Sequence, residues 1–217
     1  TENGIKYIKQ DGSVGYYQTV NKTTPVAGDV KYVDRNGDGV VDDNDRDIIG
    51  NPNPDFTYGF QTKVSWKSLS LSASFNGVQG RDILNVGNRY NNTPGTKSNN
   101  VTRKAFQNMW TDENPSNLYP KSTFVVQNMV MDRYVEDGSY LRCSDITLSY
   151  VLPAKWTNKI GIKNTSVYAS VKNAFVITDY SGYDPEVNSF AFDGLRPGVD
   201  MNSYPTPRSF VFGLNLT

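Results

Sequence analysis

The chain has 217 residues, room for one or two domains, and its 22 Lys and Arg balance 22 Asp and Glu, so no basic field argues for a nucleic-acid partner. It contains no His, which removes the commonest general base and triad member, and its single cysteine, Cys143, excludes an internal disulfide and lacks an imidazole to activate it. No apolar run reaches the roughly 18 residues of a membrane-spanning helix, a test that alternating barrel strands escape.

The opening, TENGIKY, carries no secretory leader pattern and reads as mid-chain sequence, so the expectation is a fragment of something longer. Residues 27–33, AGDVKYV, are short and β-like. They lead into an acidic stretch, 29–55, which holds eight Asp against three Lys or Arg. Within it, 34–45 reads DRNGDGVVDDND. Asp34, Asn36, Asp38, Asp42 and Asp45, with the Val40 carbonyl, match the spacing of a calcium-binding loop, and Gly39 stands where that loop turns. Hard oxygen donors suit Ca²⁺ better than Zn²⁺. The prolines and glycine of IIGNPNPDF (48–56) stop a helix from following, so the expectation is a structural Ca²⁺ loop in a β or irregular setting. The alternative is a polar surface turn that binds nothing.

The clearest signal is the next one. Phe60, Val64 and Trp66 alternate with Gln61, Lys63 and Ser65, and Leu69, Leu71, Ala73 and Phe75 alternate with Ser70, Ser72, Ser74 and Asn76. Only Lys67 and Ser68 lie between, which predicts a hairpin with one apolar and one polar face. The loop residues that follow are rich in Asn, Thr, Pro and Gly, with a short helix predicted over 101–110, VTRKAFQNMW. Period-two alternation returns at Ile146, Leu148 and Tyr150, and again at Val167, Ala169, Val171, Phe175 and Ile177, where Asn173 is the polar exception. It returns a last time at Phe210, Phe212, Leu214 and Leu216. The predicted strands are 56–66, 69–78, 138–151, 165–177 and 207–217, an antiparallel all-β arrangement.

Alternation alone also fits a soluble sandwich. The connections discriminate: 67–68 is a tight turn and 152–164 is modest, whereas 79–137 and 178–206 far exceed the roughly 4–6 residues of a median loop. Outer-membrane barrels alternate short and long connections in this way, and their strands need about 9–11 residues to cross the bilayer. Trp66 and Tyr150 fall at the short-turn ends, where an aromatic girdle would sit. Loop aromatics Trp110, Tyr119, Tyr180 and Tyr183 are candidates to stack on a substrate, against the plainer reading of loop packing. Asp184 and Glu186, two apart in DPEV, are the one carboxylate pair an enzyme would want, but in a turn they read more simply as loop-shaping residues, and no enzyme is expected.

Four stretches carry a family resemblance: GDVKYVDRNGDGVVDDNDRDIIGNPNPDFTYGF (28–60), RYVEDGSYLRCSDITLSYVLP (133–153), VYASVKNAFVITDYSGYDPEV (167–187) and SYPTPRSFVFGLNLT (203–217). The chain resembles the C-terminal barrel segment of SusC/RagA-type TonB-linked outer-membrane proteins, of the kind found in Bacteroidetes. The resemblance implies part of a barrel of about 22 strands around an N-terminal plug. It also implies import of glycans or peptides, energy received from TonB through an N-terminal part absent here, a SusD-like lipoprotein lid, and outer-membrane lipid around the wall. Residues 1–55 would then be an extracellular loop segment and 56–217 five C-terminal strands with their loops. The runner-up is a secreted, calcium-braced β-module that binds carbohydrate or a protein. On the barrel reading the apolar parity of the last strand falls next on position 218, so an aromatic residue, Phe, is expected directly after Thr217.

Overall fold

The structure, a computed structural model, describes residues 6–8, 11–16, 26–93, 100–122, 130–157, 162 and 165–216. Thr217, and with it the expectation about the chain's end, lies outside the described residues. The chain forms two compact units: residues 1–49 with 87–132, and residues 50–86 with 133–217.

The first unit contains a short hairpin, β1 (Lys6–Ile8) with β2 (Val14–Tyr16). The predicted helix forms as α2 (Arg103–Asn108), where the Thr102 hydroxyl accepts from the Ala105 amide and so caps its start. A further helix, α1 (Val86–Asn92), begins at the boundary between the units. Residues 27–33, β-like in sequence, form no strand.

The second unit is built on a five-stranded antiparallel sheet: β3 (Phe56–Trp66), β4 (Leu69–Gln79), β7 (Tyr140–Val151), β8 (Ser166–Thr178) and β10 (Ser209–Asn215). Each strand pairs with its neighbour in this order, an up-and-down meander. The two-residue turn holds Lys67 at φ 54°, the positive value a tight hairpin demands, and the Lys67 ammonium sits 4.6 Å from the Trp66 ring centroid. A second, three-stranded sheet joins β5 (Asp82–Asn85) to β6 (Val135–Asp137) antiparallel and to β9 (Val199–Asp200) parallel. Its centre is Ile83, fully buried, and it closes the long-loop end of the β4–β7 pair. A last helix, α3 (Ala154–Thr157), sits in the β7–β8 connection.

The register sorts the side chains onto two faces. Phe60 meets Phe75, Val64 meets Leu71, and Trp66 meets Leu69 and, one strand on, Tyr150. The same row continues through Val167 to Leu214, and the next through Ala169 to Phe212. This apolar face is exposed, with Phe60, Val64, Trp66, Leu71, Leu148, Phe175, Ile177 and Phe212 all open. The Phe60 and Phe75 rings stack at 4.6 Å. The opposite face is polar and bonded across strands: Gln61 donates to Ser74 at 2.8 Å, and Thr147 and Ser170 both donate to Asp145 at 2.7 Å.

A bulge crosses the sheet. Ser74 pairs with Asp145 and Phe75 with Cys143, which leaves Ser144 unpaired in β7. On β8, Lys172 pairs with Asp145 and Phe175 with Cys143, which leaves two residues, Asn173 and Ala174, extra. One extra residue flips the parity of β7, and two leave that of β8 unchanged. The polar exception in the apolar row is therefore the bulge residue: Asn173 stands at φ 52°, and its side chain donates to the Pro207 carbonyl at 3.0 Å. Beyond the bulge the flipped parity turns Arg142 and Tyr140 to the polar face.

Candidate functional site

Those two residues organise the clearest built cluster among the described residues. The Arg142 Nη2 lies 2.5 Å from Asp184 Oδ1, both side chains almost fully buried. Arg142 Nε lies 3.1 Å from Glu186 Oε2, off the angle for a hydrogen bond, so that contact is ionic only. Glu186 Oε1 accepts from the Tyr140 hydroxyl at 2.5 Å and from the Asn76 amide at 3.0 Å. Asp184 also accepts from the Glu186 and Thr206 amides, each at 3.0 Å. Arg81 donates to the Pro185 carbonyl. Burial pushes the Asp184 carboxyl up, but the Glu186 and Thr206 amides and the Arg142 guanidinium outweigh it and hold it below the ordinary carboxylate range. The carboxylate pair of DPEV thus closes on an arginine. It ties the loop to β7.

Tyr180, a few residues earlier, is buried, and its hydroxyl donates to the buried Asp200 carboxylate at 2.7 Å. Burial and that acceptor together push its phenol far up. Its ring is packed against Gly182, where a Cβ would stand 2.4 Å from Cε1. This corrects its place among the stacking candidates: Tyr180 is an anchor with no open ring face. Tyr183 differs. It is 73% exposed, between buried Tyr180 and buried Asp184.

In the other unit, Trp110 and Tyr119 are half-buried and come together: the Trp110 amide donates to the Tyr119 carbonyl at 3.1 Å. The Trp110 ring covers Gly28, where a Cβ would meet it at 2.4 Å and φ is already +85°.

The acidic loop is closed by its own amides. Asp34 accepts from Gly37 and Gly39, Asp38 from Val40, and Asp42 from Asn44. Asp45 accepts from Arg35 and Asp42, and Asn36 from Asp38. Slight burial raises the Asp45 carboxyl, and the Asp42, Arg35 and Asn36 amides more than reverse this. The donors fit a hard cation in kind, and a carboxylate oxygen that accepts one amide keeps a lone pair. Among the described residues no group of three or more His, Cys, Asp or Glu side chains is placed to hold a metal ion; the Asn36 amide oxygen and the Val40 carbonyl are the loop's other donors.

Arg142 was the residue that strand alternation concealed. Read without a bulge, it shares parity with Ile146 and Leu148 and would face the apolar side. A charged residue on an apolar parity was the signal for the break.

No helix among the described residues is long and apolar enough to cross a membrane, which says nothing of β-barrels, whose crossings are strands. No family model matches the chain. It is 34% identical over 200 residues to the TonB-dependent receptor P26 of Formosa agariphila, with 88% of this chain and 20% of that protein covered. It is also 34% identical over 192 residues to the TonB-dependent receptor SusC of Bacteroides thetaiotaomicron, covering 85% of this chain and 17% of that receptor. Among solved structures it superposes on the RagAB peptide importer in its closed-closed state, with a TM-score of 0.69, 27% identity, and 85% of this chain against 20% of that one covered. The chain therefore spans about a fifth of the length of the relatives it matches. TonB-dependent receptors are outer-membrane transport proteins, not enzymes. With its open apolar face, polar reverse face, nearest-neighbour strand order and long loops, the chain belongs to the SusC/RagA-type TonB-dependent receptors, as a run of adjacent strands from their transmembrane barrel.

Proposed function

We propose that this chain supplies part of the barrel wall of an outer-membrane nutrient importer. The polar face lines an aqueous lumen, the apolar face meets lipid, and the long loops stand outside the cell, where they meet a SusD-like lipoprotein lid and a glycan or oligopeptide cargo. Energy reaches the importer from TonB through parts of the receptor outside this chain. Tyr183 in one unit and, separately, Trp110 and Tyr119 in the other are the proposed aromatic contacts for cargo. The observation that carries this reading is the exposed apolar face: it runs across all five strands, which a water-soluble protein would have to cover. The test is the chain alone in detergent-free buffer. The expected result is aggregation or misfolding that detergent relieves. A monomer with a cooperative thermal transition in plain buffer overturns the reading in favour of a secreted β-module.

We also propose that residues 34–45 take up Ca²⁺ as a brace, supported by the donor spacing and the hard oxygen set. Titration of the receptor with Ca²⁺ after chelation is expected to release heat and slow proteolysis between Asp34 and Asp45. No heat at millimolar Ca²⁺, with proteolysis unchanged, overturns it.

A further inference from the structure

The connection from β8 to β10, residues 179–208, has the length at which a loop is ordinarily mobile. Its first third is held at successive points. Tyr180 is tied to Asp200, Asp184 to Arg142 and Thr206, Pro185 to Arg81, and Glu186 to Tyr140 and Asn76. Val187 and Pro185 are buried besides. These partners come from β4, from Arg81 between β4 and β5, from β7 and from the far end of the same loop. Asn76 and Arg142 stand opposite each other in the register, one strand apart, on the polar face. The segment therefore lies down across the polar face at its long-loop end. The carboxylates of Asp184 and Glu186 both face one guanidinium, and a buried carboxylate deprived of its cation is strongly destabilised.

We infer that Arg142 is a positioning residue that latches residues 180–187 as a fixed lip on the polar wall, so that this loop does not swing during the import cycle while Tyr183 is held out from it at a constant place. The functional meaning of the lip rests on the reading of the polar face as a lumen wall; the latch itself does not. The lip also explains why a residue as large as Tyr183 stays open beside buried neighbours: its flanks are pinned by Tyr180 and Asp184, and its own side chain is left without a role in the packing.

The test is hydrogen exchange of the full receptor in detergent or nanodiscs, read on the amides of Glu186 and Thr206, which the Asp184 carboxylate accepts. In the wild type they exchange as slowly as strand amides, with or without lid and cargo. Arg142→Gln speeds them at least 100-fold and leaves β3 and the turn-proximal half of β4 unchanged. Arg142→Lys, which can serve one carboxylate but not both, restores protection in part. Glu186→Gln, at a side chain only partly buried, gives a smaller change in the same direction and serves if Arg142→Gln fails to assemble. Fast exchange in the wild type, a change on adding lid or cargo, or no rescue by lysine overturns the latch. Slow exchange throughout, in a receptor that proves to have no transport activity, leaves the latch standing and removes the lumen reading instead.

Discussion

Replacing Ile146 by Arg is expected to destabilise the receptor by about 2–4 kcal/mol, while Thr147→Arg, one residue along the same strand, costs under about 1 kcal/mol. Ile146 lies between Ala73 and Val171 in the register, near the middle of β7, on the apolar face. An arginine there must sit in hydrocarbon or drag water and headgroups towards it. Thr147 lies between Ser72 and Ser170 on the polar face, beside Asp145, so an arginine meets water and a carboxylate. Hydrophobicity lost is large in one case and slight in the other, so the lipid-specific penalty is isolated by inserting both variants, and Ile146→Ser, into vesicles and unfolding them in denaturant. The serine variant removes apolar area without a charge and should fall between the two. Equal costs for both arginines would mean that both faces meet the same medium, which no barrel wall allows.

What the sequence made legible follows from how many residues carried each signal. Long strands with period-two alternation were located to within two residues, because a dozen positions vote on one face: 56–66 as predicted, 69–79 for 69–78, and 140–151 for 138–151. The three-stranded sheet was not, because β5, β6 and β9 have four, three and two residues and offer no period to read. The pairing of Leu84 with Val199 also joins positions over a hundred residues apart, through a parallel contact that no local pattern encodes. AGDVKYV, β-like in composition, forms no strand, which fits the irregular setting expected for the acidic loop; β propensity is only a preference for a half-buried pleated surface. Turn chemistry marked DPEV as loop-shaping but not what it closes on. Asp184 and Glu186 were visible as a carboxylate pair; their partner Arg142 was hidden behind the bulge at Ser144, which a parity count without an insertion cannot see.

Gly77→Val is the second large effect, and it is expected to cost about 2–4 kcal/mol by overpacking and by the loss of one hydrogen bond. Gly77 lies in β4, opposite Tyr58 on one side and Leu141 on the other. The Tyr58 ring lies over it and reaches the Tyr140 carbonyl with its hydroxyl at 3.3 Å, so the missing side chain is what lets a tyrosine cross two strands. This is an aromatic covering a strand glycine, a device that fixes the register of neighbouring strands. A Cβ at position 77 would stand 2.3 Å from the Tyr58 ring and 2.7 Å from the Tyr140 carbonyl oxygen. The ring can turn aside. The carbonyl belongs to the β7 backbone and moves only with the strand. The double variant Gly77→Val with Tyr58→Ala should therefore recover part of the loss and not all of it, and the remainder measures the backbone clash. The readout is denaturant unfolding of the receptor in vesicles, with the exchange of β7 amides near Tyr140 as the local probe. Complete recovery in the double variant would assign the whole penalty to the ring and show that β4 and β7 can separate at this point without cost.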